Sequence, residues 1–319
     1  MNLKHKLIIQ IPCYNEEETL PLVLKDIPTS IEGVECIETQ IVDDGSTDKT
    51  VEIAKYLNVD HIVSYIGNKG LGNAFRYGIE SALNNGATIL VNTDGDNQYK
   101  SSDIEKLIQP ILDGNADIVV GDRQTAKIKH FSVIKKTLQW LGTWVTVSLA
   151  GERELKDAVS GFRAYSRDAL IKLNVTSSFS YVLDTTLQAA NKRIRMVSVP
   201  IETNPPTRPS RLFKNMFQHI RKSSFDIMRV YAMYHPLKIF LWLGGITFFI
   251  GSIPMLRFLY SYFFTENGSA GKIQSLIFGA MLIIISINFL ALGIIGDLLS
   301  KNRTLSEYIL EKLKKKNDL

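Results

Sequence analysis

The sequence predicts an α/β domain built on a mostly parallel, doubly wound sheet, followed by amphipathic interface helices and two transmembrane helices. Three observations support this prediction. Short apolar runs alternate with helical patterns through the first 200 residues, basic and apolar residues share helical spacing near residue 220, and two long uncharged segments follow. We therefore divide the chain into an α/β domain at 1–206, an interface segment at 207–235, a transmembrane hairpin at 236–300 and a basic tail at 301–319.

Five strands are predicted in the first 120 residues, each from a short apolar run. They lie at 7–11, 39–42, 61–63, 88–91 and 117–120. Helices are predicted between them, at 17–27, 48–57, 72–84 and 101–113. Strands that are apolar throughout and alternate with helices indicate a parallel sheet with both faces covered. Such a sheet binds ligands at the carboxyl ends of its strands, where this chain places its polar clusters.

The segment at 207–235 carries apolar residues at helical spacing, with Arg and Lys between them. This pattern is typical of a basic amphipathic helix that lies on a membrane. It would also fit a helix packed on the core of its own domain, and both interpretations stay open at this point.

Two uncharged segments are long enough to cross a bilayer as helices. Residues 239–256 form a run of 18 residues without a charge, and residues 273–296 form a run of 24. About 20 apolar residues suffice for a span. The loop between them carries little charge, whereas the tail at 301–319 holds six Lys or Arg residues. The positive-inside rule therefore predicts a multi-pass protein of the cytoplasmic membrane, with the α/β domain and the tail in the cytoplasm.

The charge distribution also bears on partners. The net charge is +5, and much of the excess lies in the interface segment and the tail. That placement favours an anionic membrane surface or phosphate-bearing ligands. No recognition motif accompanies the basic stretches, so nucleic acid is not an expected partner. The two cysteines, Cys13 and Cys36, lack the spacing of a metal site.

The most informative motif is Asp94-Gly95-Asp96, which follows the fourth predicted strand. Two aspartates separated by one residue, on the turn that leaves a buried strand, can direct both carboxylates at one divalent ion. Mg²⁺ and Mn²⁺ take oxygen ligands and bridge diphosphates readily. Taken alone, however, an Asp-x-Asp sequence is common in surface loops.

Three further motifs accompany it. Ile-Pro-Cys-Tyr-Asn-Glu-Glu at 11–17 follows the first strand, Ile-Val-Asp-Asp-Gly-Ser-Thr-Asp at 41–48 ends the second, and Asp-Ala-Val-Ser-Gly-Phe-Arg-Ala-Tyr lies at 157–165. In this order and spacing they resemble family 2 glycosyltransferases with the GT-A fold. With the two spans, the chain looks like the branch that glycosylates dolichol or undecaprenyl phosphate.

The resemblance implies roles for individual residues. The donor, a nucleotide sugar, would contact residues of the first two motifs, the aspartate turn and the basic segment, namely Pro12, Tyr14, Glu16, Asp43, Asp44, Asp94, Arg208 and Arg211. The metal would be held by Asp94, Asp96 and Gln98. Where that branch often has Asp-Ala-Asp-Leu-Gln, this chain has Asp-Gly-Asp-Asn-Gln, which leaves the carboxylates in place.

A glycine-rich turn at 67–73 precedes a predicted helix. Backbone N–H groups at such a turn can bind phosphate or sugar oxygens, which would bring Lys69 to the donor. The spacing is not that of the dinucleotide-binding fingerprint, and a plain loop would explain the turn equally well.

The acceptor side requires cations. The resemblance places contacts to the acceptor phosphate after the fifth strand, at Arg123, Lys135 and Lys136. These residues, and the basic pair Arg208 and Arg211, could instead contact only lipid headgroups.

The acceptor itself needs no general base. Polyprenyl phosphate is a monoester whose second pKa should lie near ~6, so it is already a nucleophilic dianion at neutral pH. We therefore expect Asp157 to position the sugar or the acceptor cations. Arg163 is expected either to serve catalysis or to pair with a buried carboxylate.

The predicted reaction is a single inverting displacement at the anomeric carbon, with a UDP-sugar favoured as donor. A polymerising family 2 synthase is an alternative, but the chain has no Gln-x-x-Arg-Trp segment and few spans. A non-catalytic nucleotide-sugar-binding scaffold is another, although both aspartates of the metal motif are present. Homo-oligomer formation stays open.

Overall fold

The computed structural model describes residues 5–125, 133–151, 155–175, 181–205, 216–264 and 273–317. The chain divides into two compact units. One comprises Met1–Ile227 with Glu311–Leu319, and the other comprises Met228–Leu310.

The first unit contains seven strands in one sheet: β1 His5–Cys13, β2 Val34–Asp43, β3 His61–Ser64, β4 Ile89–Asn92, β5 Ile118–Asp122, β6 Arg163–Ser166 and β7 Met196–Pro200. The order across the sheet is β3-β2-β1-β4-β6-β5-β7. Every neighbouring pair is parallel except those that involve β6, which runs antiparallel between β4 and β5. The predicted mostly parallel sheet is confirmed.

Helices and one short 3-10 helix connect these strands, and one further helix follows β7. The α-helices are α1 Leu20–Lys25, α2 Thr50–Tyr56, α3 Leu71–Asn84, α4 Ile104–Leu112, α5 Val133–Ala150, α6 Arg167–Lys172, α7 Tyr181–Asn191 and α8 Met216–Tyr234. The helix predicted at 101–113 is a 3-10 turn at Ser101–Asp103 followed by α4. The first five strands agree with prediction to within a few residues, apart from the longer start of β2.

Apolar side chains cover both faces of the sheet. On β1, Ile8 points into a core that includes Phe75 of α3 and Tyr181 of α7. Its neighbours Leu7 and Ile9 point to the opposite face, into the core that α4 covers. Because successive residues of a strand alternate between faces, an all-apolar strand fits only a sheet buried on both sides. The doubly wound arrangement follows from this.

The second unit contains two long helices, α9 Pro236–Phe264 and, with its last residues in the first unit, α10 Ile273–Asn317. Both are long and apolar enough to cross a membrane, and only 11% and 17% of their most apolar windows are buried. A core helix of a soluble protein would be mostly buried. The residues predicted as a separate tail continue α10 without a break as far as Asn317.

Small residues bring α9 and α10 together. A Cβ added at Gly251 would lie 3.1 Å from the Gly279 carbonyl oxygen, and one added at Gly279 would lie 2.8 Å from that of Gly251. The Ser286 hydroxyl donates to the Gly244 carbonyl at 2.8 Å. Close backbone approach through small residues is typical of helix pairs in membranes.

Candidate active site

Three of the sequence motifs meet at the carboxyl ends of β2, β1 and β4, which are adjacent in the sheet. The last residue of β1, Cys13, pairs in register with Asp43 at the end of β2. The Asp44 amide donates to the Cys13 carbonyl at 2.9 Å, and the Thr93 amide donates to the Gln10 carbonyl at 3.0 Å. Parallel strands therefore deliver the motifs to one edge of the sheet, as expected for this fold class.

The loops after β1 and β2 hold each other through reciprocal hydrogen bonds. The Asn15 amide donates to the Ser46 hydroxyl at 2.9 Å, and the Thr47 amide donates back to the Asn15 side chain at 2.8 Å. The Glu16 amide donates to the Thr50 hydroxyl at 2.8 Å. Asn15 has a left-handed φ of 57°, which Asn tolerates better than most residues. The loops after β1 and β2 are therefore hydrogen-bonded to each other on one side of the site.

The two aspartates at the end of β2 are buried, and each binds backbone or hydroxyl donors. Asp43 accepts a hydrogen bond from the Ser64 hydroxyl at 2.8 Å. Asp44 accepts from the amides of Lys69 and Gly70, at 2.7 and 3.0 Å. Asp44 thus fixes the glycine-rich turn. The lone pairs of its carboxylate that these amides do not use can still accept a hydrogen bond from the base of a nucleotide. The nucleotide-binding roles of both residues stay predictions.

The side chain of Lys69 lies over two aromatic rings. Its ammonium is 5.0 Å from the centroid of Tyr65 and 5.5 Å from that of Tyr77. Such cation–π contacts orient a lysine without neutralising it. The turn therefore presents an exposed, oriented cation beside Asp44.

Gly45 makes the closest approach between the second loop and this turn. It has a φ of +74°, and a Cβ at this position would lie 2.7–2.9 Å from backbone atoms of Gly67. Gly86 has a similar φ of +77°, but a Cβ there would meet nothing within 4 Å. The two glycines therefore share a backbone conformation and differ only in their surroundings.

We expect Gly45→Ala to weaken donor binding and lower the melting temperature, whereas Gly86→Ala should carry only the cost of a left-handed Ala, roughly 1–2 kcal/mol. The added Cβ at Gly45 must push the turn at Gly67 away from Asp44. Thermal unfolding and nucleotide binding of the two variants measure the difference. Equal losses in both variants would mean that the contact between Gly45 and Gly67 is unimportant.

The aspartate turn packs closely on the first loop. A Cβ at Gly95 would lie 3.2 Å from the Pro12 carbonyl oxygen and 3.3 Å from Cγ of Glu16. Loss of hydration, followed by repulsion from Asp96 and Glu16 and opposed by Arg123, raises the pKa of Asp94 to about 7. Acidic side chains are therefore concentrated at this turn, away from water, with one cation close by.

Asp96 is oriented by Gln98. The Gln98 amide N–H donates to Asp96 at 3.2 Å, and its side-chain amide donates to the other carboxylate oxygen at 2.6 Å. Asn97, between them, has a left-handed φ of 59°. Gln98 thus holds the carboxylate in place, and its own membership of a metal shell stays a prediction.

The oxygen atoms of this turn suit a hard divalent cation. Asp94 and Asp96 supply carboxylates whose mutual repulsion a cation would relieve, and Mg²⁺ and Mn²⁺ prefer such ligands. Within the described residues, no cluster of three or more His, Cys, Asp or Glu side chains is arranged as a metal site. The metal-binding roles of Asp94 and Asp96 stay predictions.

A contact that the sequence did not indicate fixes the turn from the other side. Tyr99 forms an isolated antiparallel bridge with Thr203. The Asn204 amide donates to the Gln98 carbonyl at 2.8 Å, and its side chain donates to the Asn97 carbonyl at 3.1 Å. No local pattern marks Asn204, because its partners lie about 100 residues earlier.

Arg123, whose side chain is 13% exposed, forms an ion pair with the buried Asp157. The guanidinium donates to both carboxylate oxygens, at 2.7 Å through Nε and at 2.9 Å through Nη2. Burial lowers the pKa of Arg123, but the nearby Tyr99, Asp157 and Asp94 together raise it above its ordinary value. Arg123 is therefore charged, and its remaining N–H donors can bind another anion.

Arg163 is fully buried at the start of β6. It donates to the backbone carbonyls of Ser160, Ala158 and Val182 at 2.8, 2.7 and 3.2 Å. It also binds hydroxyl groups of α7. Its partners are carbonyls and hydroxyls rather than the buried carboxylate considered above. Arg163 braces the segment that carries Asp157, and a direct catalytic role stays a prediction.

Fewer contacts are known for the remaining predicted site residues. Tyr14 is 41% exposed and follows β1, where its ring is free to meet a ligand. Lys136 is half-buried in α5. The side chain of Lys135, and the whole of Arg208 and Arg211, lie outside the described residues.

A model of glycosyl transferase family 2 matches residues 8–173, which is more than half of the chain. The chain belongs to glycosyl transferase family 2. The family predicted from the motifs is confirmed, and the matched region contains the aspartate turn, Arg123, Asp157 and Arg163.

Several family 2 relatives have names that specify lipid-phosphate acceptors. A UDP-N-acetylglucosamine–dolichyl-phosphate N-acetylglucosaminyltransferase from Methanococcus voltae is 30% identical over 214 residues, covering 60% of this chain and 83% of the relative. The polyprenol monophosphomannose synthase of Mycolicibacterium smegmatis is 27% identical, covering 61% and 76%. The undecaprenyl-phosphate mannosyltransferase of Micrococcus luteus is also 27% identical, covering 61% and 82%.

Solved structures confirm the fold. Glucosyl-3-phosphoglycerate synthase from Mycobacterium tuberculosis, in complex with Mn²⁺, UDP and glucosyl-3-phosphoglycerate, superposes with a TM-score of 0.54. It is 19% identical, and the match covers 72% of this chain and 79% of that chain. The GT-A fold predicted from the sequence is thereby confirmed for this family 2 protein.

Proposed function

We propose that this family 2 glycosyltransferase moves a sugar from a nucleotide sugar to polyprenyl phosphate at a membrane. The relatives named above act on such lipids, and the two apolar helices suit a membrane substrate. A UDP-sugar is the donor that we favour. The catalytic domain and the end of α10 would face the cytoplasm, where nucleotide sugars are made.

One observation supports this proposal most directly. Arg123 is bound to Asp157 at 2.7 and 2.9 Å, and Asp157 begins the segment whose Gly161 lies against Asp94, since a Cβ added at Gly161 would be 3.3 Å from both carboxylate oxygens. A site for a metal-bound diphosphate and a site for an anionic acceptor are therefore adjacent. Two anions approach each other only where cations screen them, and this juxtaposition supplies that screening.

The proposal assigns the following roles in the reaction. The lipid phosphate attacks the anomeric carbon, the bond to the diphosphate breaks, and the configuration at that carbon inverts. Arg123 binds acceptor oxygens through the donors that do not face Asp157, and Asp157 keeps the guanidinium oriented. Lys135 and Lys136 would add positive charge on the acceptor side, and Arg208 and Arg211 on the donor side. A divalent cation at Asp94 and Asp96 would stabilise the charge that develops on the departing diphosphate.

A donor screen tests the proposed function. Purified full-length protein is incubated with UDP-glucose, UDP-N-acetylglucosamine or GDP-mannose and with one acceptor, which is undecaprenyl phosphate, dolichyl phosphate or 3-phosphoglycerate. The product is identified by mass. We expect one sugar to be transferred to the lipid phosphate. Transfer only to a water-soluble phosphate such as 3-phosphoglycerate would contradict the lipid acceptor, and binding of a nucleotide sugar without any transfer would favour the scaffold.

The orientation is tested by cysteine labelling from outside the cell, in a chain whose two native cysteines are replaced. We expect a membrane-impermeant reagent to modify a cysteine at position 269, between the two helices, and to miss one at position 315 near the end of α10. Permeabilised cells provide the control, because both positions should then react. The reverse pattern in intact cells would place the catalytic domain on the side that lacks nucleotide sugars.

A further inference from the structure

A chain of polar side chains crosses the core of the catalytic domain, where the neighbouring strand residues are apolar. It comprises Gln40 of β2, Gln10 of β1, Asn92 of β4, Tyr181 of α7 and the backbone of Gly161, and we call it the amide chain. The four side chains are 0% exposed. Gln10 interrupts the apolar run of β1 and Asn92 ends that of β4, and an interpretation in terms of periodicity passes over both.

The hydrogen bonds of the amide chain all run in one direction. Gln40 donates to Gln10 at 3.2 Å, and Gln10 donates to Asn92 at 3.0 Å. Asn92 donates to the Tyr181 hydroxyl at 2.8 Å, and that hydroxyl donates to the Gly161 carbonyl at 3.0 Å. Burial raises the pKa of Tyr181 well above its ordinary value, so its hydroxyl keeps the proton that it donates. Bonds aligned in this way polarise and strengthen one another.

The amide chain ends beside the aspartate turn. A Cβ at Gly161 would lie 3.1 Å from the Tyr181 hydroxyl and 3.3 Å from each carboxylate oxygen of Asp94. The Gly161 amide donates to the Tyr99 hydroxyl at 3.2 Å, so both polar groups of this peptide are engaged. The Gly161 backbone therefore forms a fixed surface against which the Asp94 carboxylate rests.

Stability alone is a poor explanation for the amide chain. Burying an amide costs free energy that its hydrogen bonds only offset, and apolar residues of similar volume fill a core at least as well. What a polar chain adds over apolar packing is a fixed position for the group at its end. Here that group is the peptide next to Asp94.

We propose that Asn92 and Tyr181 are positioning residues for the transfer reaction: they hold the Gly161 backbone in place, and this backbone fixes the Asp94 carboxylate in the donor site. The inference rests on the proposed function in assigning Asp94 to the donor diphosphate. It adds two residues, neither of which touches a substrate, to the machinery of the site.

The variant Tyr181→Phe tests this, because it removes one hydroxyl and keeps the ring that stacks on Phe75 at 4.0 Å. In the full-length protein we expect binding of Mn²⁺ with UDP, measured by calorimetry, to weaken about tenfold, because the Gly161 peptide loses the hydroxyl that joins it to Asn92 and with it two buried hydrogen bonds. Amide hydrogen exchange in residues 157–163 should become faster. The KM for polyprenyl phosphate should stay unchanged.

Tyr165→Phe is the matched control. Tyr165 is also fully buried and packs on Phe75, with ring centroids 5.5 Å apart. Its hydroxyl faces Thr185 and Arg163 rather than Gly161, and among the described residues it forms no hydrogen bond of ordinary distance and angle. This variant should bind Mn²⁺ with UDP as the wild type does. A Tyr181→Phe protein that matched the control in both binding and exchange would overturn the inference.

Two other outcomes can be distinguished from a failure of the inference. If the wild type itself binds no Mn²⁺ with UDP, the assignment of Asp94 to the donor site is wrong. The rate of amide hydrogen exchange in residues 157–163 then tests by itself whether Tyr181 holds the Gly161 backbone in place. If Tyr181→Phe does not fold, Gly161→Ala replaces it, since its Cβ would press on the Asp94 oxygens and should weaken Mn²⁺–UDP binding similarly. Wild-type binding by Gly161→Ala would then overturn the inference.

Discussion

Replacing Asp96 by Asn is expected to lower the rate of sugar transfer by about 10³-fold, which corresponds to roughly 4 kcal/mol of activation free energy. A metal that stabilises the charge on the leaving diphosphate contributes several kcal/mol, so its loss is enough to explain this effect. The substitution keeps the shape of the side chain and one of its acceptors for Gln98. The fold should therefore survive. Steady-state rates with saturating donor and lipid measure the effect, with melting temperature as the check on folding.

Chelation should reproduce this loss in the wild type, and added Mg²⁺ or Mn²⁺ should restore the activity. Asp113→Asn is a matched control, because Asp113 is an exposed carboxylate at the end of α4 whose side chain also binds a glutamine amide, that of Gln109. This control should retain wild-type rates. Full activity in excess chelator would rule out the metal, whatever the behaviour of Asp96→Asn.

The second large effect is expected at the pair of Arg123 and Asp157. Replacing Asp157 by Leu leaves a buried guanidinium without its carboxylate, and breaking a buried pair in this way costs about 3–5 kcal/mol of the free energy of unfolding. Transfer should also fall, through a higher KM for the lipid and an unchanged KM for the donor. Chemical denaturation and initial rates measure the two effects separately.

The double variant Arg123→Met with Asp157→Leu separates stability from function. Removing both charges should recover most of the lost stability, since two apolar side chains can pack where the pair lay. Transfer should not recover, because the acceptor phosphate has lost its cation. Recovery of transfer together with stability would show that the acceptor binds elsewhere, and Lys135 and Lys136 would then be the first residues to test.

The milder variant Asp157→Asn addresses the nature of the nucleophile. If the lipid phosphate supplies the negative charge, the rate should rise with pH through the second ionisation of the phosphate, near ~6, and then stay level. Asp157→Asn should keep that profile. A variant that binds both substrates normally but transfers no sugar would instead indicate that Asp157 acts as a general base.

The alternation of apolar runs and helical patterns was enough to predict most of the sheet. Fully apolar strands need cover on both faces, and parallel strands expose their carboxyl ends together, so the aspartates at 43, 44, 94 and 96 had to lie at one edge. The same reasoning did not predict β6. This strand begins with a buried arginine and ends with a serine, so it lacks the apolar composition of its neighbours β4 and β5.

The sequence by itself determined the positions of the first five strands along the chain, the family motifs and the two apolar helices, because periodicity and segment length are local properties. Only the tertiary structure decided which side chains meet. Arg123 finds Asp157 across 34 residues, and Asn92 reaches Tyr181 across 89. Such partners are chosen by which strands and helices become neighbours when the core packs, and no local pattern in the chain encodes that choice.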